Sequence, residues 1–404
     1  MQGNARVPET TIGLDVGDRW SQVCVLDAAG EVVEEARVRT TEAALKRCFT
    51  GLEPARVVLE VGPHSPWISR LVAEAGHEVI VANPRKLRLI YQSDQKCDRA
   101  DAEYLARVGR MDPKLLAPVK HRGEMTQADL AVVRSRSALV DAHTGLINHM
   151  RSTVKALGGR LPKCSTVSFH RKVEEHVPEE LHAALLPVLD TIAEISRQIE
   201  GMEAWIAELS ETEYSETDLL RQVPGVGPIT ALCYVLTLES PERFRTSRAV
   251  APYLGLVPRR HDSGETSPQL RTTKAGDPLL RSLLVQSAHY ILGPFGPDCD
   301  LRRWGEELSA RGGPNAKKRA IVAVARKLAV LLHRLWITAE VYEPLHRQQQ
   351  RPDEGRRRRS CSDERRARRP KARRRRLEED SLMLAERADV PCPVRVTARH
   401  TQAA

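Results

Sequence analysis

Residues 11–18 read T-I-G-L-D-V-G-D and residues 56–61 read R-V-V-L-E-V, and these two runs decide the fold. Each is a short apolar strand that carries an acid near its end, Asp15 in the first and Glu60 in the second. Around them the chain alternates strand and helix signals. Thr11–Val16 is turned by Gly17-Asp18-Arg19 into Ser21–Leu26, and Glu31–Val38 follows Ala29-Gly30, which predicts a three-stranded meander. Thr41–Thr50 reads as a helix, Arg56–Val61 as a buried strand, Pro66–Ala75 as a helix, His77–Ala82 as a fifth strand and Asp98–Arg110 as a helix. The order β-β-β-α-β-α-β-α predicts an α/β layer with a mixed sheet over residues 8–115.

Downstream the pattern changes. Residues 125–212 carry apolar side chains at helical spacing (Leu130, Val133, Leu139, Leu146, Ile147, Met150, Val154), and a second helix is expected from about Glu179 to Leu209. Two long helices joined by the polar stretch 158–176 suggest an antiparallel hairpin or a coiled coil, either a helical linker or an oligomerisation arm. Residues 218–345 form a third, mostly helical unit that opens on Pro224-Gly225-Val226-Gly227-Pro228. Beyond it the stretch 348–404 reads as a largely disordered tail.

The chain has 404 residues and a formal net charge of +10. Residues 351–376 alone hold 14 basic and 4 acidic side chains, so the rest of the chain is balanced at 49 of each. A surface that is basic throughout is therefore excluded. Aromatic residues make up only 4%, which favours phosphate contacts over stacked bases. The eight cysteines form no CxxC pair, as expected of a reduced cytoplasmic protein without a zinc module. The longest apolar stretch, Ala320 to Ile337, is interrupted by Arg326, Lys327, His333 and Arg334, so it reads as an amphipathic helix and not a membrane span.

The chemistry gathers at acids. An acid ending one apolar strand is commonly a strand end reaching solvent, but two such acids in core strands are harder to explain that way. Asp98 and Asp101, in K-C-D-R-A-D-A-E-Y-L-A, lie on one face of a helix's first turn, where Asp is also favoured by the helix dipole. In a ribonuclease-H-like layer the first and fourth strands are neighbours and the last helix crosses their ends. Asp15, Glu60, Asp98 and Asp101 would then converge, and four hard oxygen donors suit Mg²⁺ or Mn²⁺ in phosphodiester chemistry.

With LEVGPHSPW, ANPRKLR, VPGVGPITA, YLGLVPRRHDSG and TTKAGDPLLRSLL added in this order, residues 10–340 resemble the DEDD-type transposases of the IS-one-ten insertion-sequence family. The resemblance implies a RuvC-like domain, a coiled-coil connection and a C-terminal transposase domain. It implies a recombinase acting on donor and target DNA, guided by a bridge RNA, in the bacterial cytoplasm at the nucleoid. It also implies a homodimer assembling to a tetramer, with the two halves of one active site drawn from different subunits. The acidic metal quartet falls on Asp15, Glu60, Asp98 and Asp101. The family's nucleophilic serine falls on Ser263, which would form a transient phosphoserine link to DNA. Two departures stand out: Cys97 precedes Asp98, and Glu265-Thr266 follow Ser263-Gly264.

On its own chemistry, a serine hydroxyl needs a base, a metal or electrostatic help to attack. Arg259 and Arg260 could fork a phosphate, and His261 could take the proton, although Asp-Ser-Gly is also a common surface turn and Ser267 is a rival nucleophile. Lys274 and Arg281 either neutralise a phosphate or cap and solvate a helix. The Gly225 and Gly227 turn either offers backbone N–H groups to DNA or simply joins two helices. A metal-dependent structure-specific nuclease that hydrolyses DNA with water is the alternative enzyme, and a nucleic-acid-binding scaffold the non-enzymatic one.

Overall fold

The computed structural model describes residues 9–85, 97–268 and 270–346. The basic tract 351–376, the tail expected at 348–404 and part of the ANPRKLR segment lie outside the described residues. The chain splits into two compact units at Ala131–Val132.

The N-terminal unit is built on a five-stranded sheet in the order β3-β2-β1-β4-β5. The strands are β1 (Thr11–Val16), β2 (Trp20–Leu26), β3 (Val32–Arg39), β4 (Arg56–Glu60) and β5 (Glu78–Ala82). β1 pairs antiparallel with β2 and parallel with β4, so the sheet is mixed as the alternation of strand and helix signals predicts. The helices of this unit are α1 (Glu42–Phe49), α2 (Ser65–Glu74) and α3 (Asp98–Met111), followed by the start of α4 (Glu124–Ala156).

Side chains alternate across a strand, so each strand feeds two cores. Ile12, Leu14, Val57 and Leu59 pack with Leu45, Phe49, Ile68 and Val72 of α1 and α2 on one face. On the other face Val58, Ile80 and Ala82 pack with Leu105 of α3, and Cys24 and Leu26 pack with Ala102 and Ala106. α3 lies almost directly on β1. A Cβ at Gly13 would stand 1.9 Å from the Ala102 carbonyl oxygen and 2.8 Å from the Ala106 nitrogen. Only a residue without a side chain admits that approach.

The C-terminal end of α3 is tied to the amino end of the parallel strands. The Arg56 Nη1 donates to the Gly109 carbonyl at 3.1 Å, and Arg107 and Arg110 donate to the Gly30 and Ala28 carbonyls in the β2–β3 turn. α3 therefore runs antiparallel to β1 and β4, and its N-terminus points toward their carboxyl ends.

The second unit is helical. α4 and α6 (His182–Thr212) pair antiparallel. Arg136 bonds Glu203 and the His143 Nε2 pairs with the Ser196 hydroxyl at 2.9 Å, so partners descend on one helix as they rise on the other. The connection between them is not wholly irregular: a short helix, α5 (Phe169–Val173), buries Phe169 and Val173 against Met150, Leu185 and Ile192. α7 (Thr217–Arg221), α8 (Pro228–Leu238), α9 (Val250–Tyr253), α10 (Pro278–Leu292), α11 (Asp300–Ala310) and α12 (Ala316–Thr338) follow. α8 is buried from Thr230 to Leu238, and its Tyr234 hydroxyl donates to the Ala329 carbonyl at 2.6 Å. Among the described residues no helix is long and apolar enough to cross a membrane.

α12 departs from its sequence reading at one position. His333, read as a polar interruption, is buried, with Nε2 donating to the Pro241 carbonyl and Nδ1 accepting from the Ser247 hydroxyl, each at 3.0 Å.

Two outcomes follow. Gly13→Ala should push α3 off the sheet and cost about 1–3 kcal/mol, read as a lower denaturation midpoint. An unchanged midpoint would mean that α3 is not seated on Gly13. Burial holds the His333 imidazole below its ordinary value of 6.5. The unfolded chain then takes up a proton that the native chain resists, so stability is full above 6.5 and falls as the pH drops below it. His333→Gln should show a shallower loss over the same range. An equal slope would remove His333 as a source of the pH dependence.

Candidate active site

The pleat sets two of the acids side by side. Asp15 lies two residues beyond Gly13, and Glu60 two beyond Val58, so both project onto the face that α3 covers. Leu14 pairs with Leu59, which puts Asp15 and Glu60 at the same level on adjoining parallel strands. Both are half-buried. Asp98 stands one turn before Ala102, the residue seated on Gly13, and Asp101 directly before it. A helical turn of about 5.4 Å roughly matches the two-residue step of about 6.6 Å from Gly13 to Asp15. The four carboxylates thus share one end of one sheet face, with Asp98 exposed and Asp101 half-buried. Among the described residues no three His, Cys, Asp or Glu side chains are drawn together closely enough to form a metal cage. The donor set is nonetheless all carboxylate, the chemistry that a hard divalent ion takes.

The same unit carries groups that the residue patterns alone do not flag. His64, in the loop between β4 and α2, faces the Asp18 carboxylate at 3.5 Å and accepts a hydrogen bond from the Trp67 indole at 3.1 Å. Trp20, at the start of β2, carries the guanidinium carbons of Arg37 and Arg39 over its ring at 4.9 and 5.0 Å. The signal for this trio is the antiparallel register, which a linear reading does not contain.

Ser263 belongs to the other unit. Residues 257–268 and 270–273 form a largely exposed hairpin: the Arg259 N–H donates to the Arg271 carbonyl at 2.9 Å, and that of Thr273 to the Val257 carbonyl at 2.9 Å. At the tip Ser263 and Thr266 exchange backbone hydrogen bonds of 3.1 and 3.0 Å across Gly264 and Glu265. Gly264 takes φ +53°, the left-handed value that the first central position of a tight hairpin turn asks of glycine. The Ser263 Oγ lies 3.2 Å from the Thr266 hydroxyl, and the Ser267 hydroxyl donates to the Asp262 carboxylate at 2.7 Å. Of the two serines, Ser263 is the one at the turn itself. Arg259, Arg260, His261 and Lys274 are all exposed along the same hairpin.

Arg281 does something more specific than cap a helix. Its Nη1 donates to the Leu254 carbonyl at 3.0 Å and to that of Ala275 at 2.7 Å, which clips together the two ends of the hairpin. The Asp277 carboxylate caps α10 by accepting from the Leu280 N–H at 2.9 Å, and Arg134 of α4 pairs with it at 2.8 Å. Gly225 and Gly227 lie in the turn between α7 and α8, beside a depression of about 400 Å³ that Thr230, Gln286 and Tyr290 also line.

Losing the clip should loosen the hairpin without unfolding the helices. Arg281→Met should speed tryptic cleavage at Arg259 and Arg260 roughly tenfold while leaving helical circular dichroism unchanged, since bonds from a charged donor each contribute about 1.5–3 kcal/mol. Unchanged cleavage would show that the hairpin is held by its strands alone.

Residues 12–158 match a DEDD-type transposase model, and residues 217–297 match the model described as "Transposase IS116/IS110/IS902 family". A "Probable family 20 transposase" of Pseudomonas aeruginosa is 29% identical over 82% of this chain and 98% of its own length. The "Transposase for insertion sequence element IS1111A" of Coxiella burnetii is 27% identical over 82% of this chain and 90% of its own. A "Pilin gene-inverting protein" of Moraxella bovis is 24% identical over 63% of this chain and 71% of its own. The two models fall in order along the chain and together take in more than half of its 404 residues. With the carboxylates at one end of the sheet and relatives matched along most of their length, the chain belongs to the IS116/IS110/IS902 family of transposases, enzymes that recombine DNA.

Proposed function

We propose that this transposase cuts and rejoins DNA strands through a transient phosphoserine, with Ser263 as nucleophile and Asp15, Glu60, Asp98 and Asp101 as the ligands of a divalent ion. The observation that carries the reading is the placement of Asp15 and Glu60 at one level on one sheet face, beneath the N-terminal turn of α3. When bound there, Mg²⁺ or Mn²⁺ would supply Lewis-acid stabilisation of charge on the phosphoryl oxygens.

The chain's own groups account for the rest. Ser263 stands exposed at a hairpin tip, where a hydroxyl can reach a backbone phosphate. Its Oγ forms a bond to phosphorus as one phosphorus–oxygen bond to deoxyribose breaks, and the departing sugar oxygen takes a proton. His261 or water takes the proton of the serine. The reverse attack, by a sugar hydroxyl of another strand, restores Ser263, so bond energy is kept and no hydrolysis is needed. Arg259, Arg260 and Lys274 hold the phosphate's charge on the hairpin. The Gly225 and Gly227 turn supports the duplex through its backbone. A relative described as gene-inverting supports rejoining over simple cutting, because an inversion must reseal what it opens.

Residues 8–115 and 218–345 then supply the two halves of the chemistry. Pairing them between subunits accounts for a homodimer that assembles to a tetramer on donor and target DNA. Target choice falls to a bridge RNA, and the work is done in the bacterial cytoplasm.

Ser263→Ala should abolish the covalent protein–DNA adduct and lower recombination at least about a thousandfold. Asp15→Ala and Glu60→Ala should do the same, and EDTA should stop the wild-type protein. An adduct from Ser263→Ala would dismiss that serine as nucleophile. Full activity in EDTA would dismiss the metal, and free ends without adduct would turn the reading to a hydrolytic nuclease.

A further inference from the structure

We infer that Trp20, Arg37 and Arg39 form a subsite for an unpaired DNA strand, placed to lead that strand to the carboxylates. The inference deepens the proposed function and rests on reading those carboxylates as the cleavage site.

Three observations converge on it. The first is register. Asp15 pairs with Gln22, Trp20 pairs with Arg39, and Gln22 pairs with Arg37. Paired residues share a face and alternate residues keep it, so Trp20, Arg37 and Arg39 lie on the face of Asp15 and Glu60. Trp20 is the diagonal neighbour of Asp15 across the β1–β2 pair, a relation that sets Cα atoms about 7–8 Å apart. That is close to the spacing of successive nucleotides along a strand.

The second is form. Trp20 is 39% exposed, and the guanidinium carbons of Arg37 and Arg39 lie over its ring at 4.9 and 5.0 Å from the centroid. A partly exposed indole with planar cations stacked over it is a combination that takes phosphates by charge and a base against the planar groups. β3 is an edge strand, so the ends of Arg37 and Arg39 open to solvent and to a long polymer.

The third is contrast along the same strand. Glu35, two residues before Arg37 and on the same face, pairs with Arg99 of α3. The helix thus covers the sheet up to Glu35 and leaves Arg37, Arg39 and Trp20 beyond its N-terminus. The cations stand where a polyanion could approach the four acids without crossing them. A duplex would present its stacked bases edge-on and gain nothing from the ring, so the subsite favours a strand already opened.

The test uses the full chain in EDTA, so that binding is read without turnover. The probe is a thymidine oligonucleotide of about 16 residues carrying 5-iodouracil, with a duplex of equal length as control. Irradiation should cross-link the single strand to Trp20, located by mass spectrometry. Trp20→Ala should abolish that cross-link and weaken single-strand binding at least about fivefold, while Trp20→Tyr should retain most of it. Duplex binding should change less than twofold in both variants. Should Trp20→Ala fold poorly, Arg37→Gln with Arg39→Gln should give the same loss in a sheet with its tryptophan kept. A single strand that cross-links elsewhere and binds these variants as well as wild type would overturn the inference. So would an RNA of the same sequence that alone cross-links to Trp20. Because no cleavage is measured, the binding result stands whether or not Asp15→Ala abolishes recombination. Activity retained in Asp15→Ala would count against the proposed chemistry and leave the subsite in place.

Discussion

The N-terminal unit depends on how closely one helix can approach one strand. Gly13 lets the backbone of α3 sit on β1, with the Ala102 carbonyl and the Ala106 nitrogen where a side chain would be. Small residues on the helix, Ala102, Ala106 and Gly109, extend that contact along the sheet. At the far end the Arg56 guanidinium holds the Gly109 carbonyl, and Glu78 holds Arg56 at 3.0 Å. A helix fixed at two points on a sheet has little freedom to slide. Its first turn is therefore delivered to the carboxyl ends of β1 and β4, where Asp15 and Glu60 stand. Site and packing are the same constraint seen from two ends of α3.

The helical unit presents its chemistry in the opposite manner. Ser263 is carried at the tip of an exposed hairpin. What the unit supplies is a firm base: Arg281 closes the hairpin's ends, and Asp277 both caps α10 and receives Arg134 from α4. Rigid footing with an exposed tip is what the proposed nucleophile would need to reach into a polymer. In the proposed reading the acids stay in a fixed place, and a sheet end provides one.

The strand order was legible because alternation and apolar runs record which side of a sheet a residue faces, and that order sets Asp15 beside Glu60. β1 begins and ends at Thr11 and Val16 as its pattern dictates, and the other strands shift by a residue at most. Other features depend on partners distant in sequence. Nothing in T-I-G-L-D-V says that Gly13 is a seat for a helix some ninety positions on. Arg281 reads equally as a phosphate neutraliser or a helix cap until the carbonyls of Leu254 and Ala275 are found within its reach. His333 reads as an interruption in an apolar run, yet two hydrogen bonds satisfy it inside the core. The low aromatic content says nothing about position, and the pairing of Trp20 with Arg37 and Arg39 is visible only in the register. The net charge behaves likewise: the tract 351–376 carries all of it in the arithmetic, while the neutral remainder still places two arginines over one exposed tryptophan.

The central claim is that α3 and the sheet together make a metal-binding site from Asp15, Glu60, Asp98 and Asp101. Titration of the metal-free protein with Mn²⁺, followed by electron paramagnetic resonance, tests it without reference to DNA or turnover. Saturable binding that is lost in Asp15→Asn and Glu60→Gln, and weakened in Gly13→Ala as α3 shifts, is the predicted result. Mn²⁺ binding that is absent from the wild-type protein, or that persists unchanged in the carboxylate variants, would contradict it.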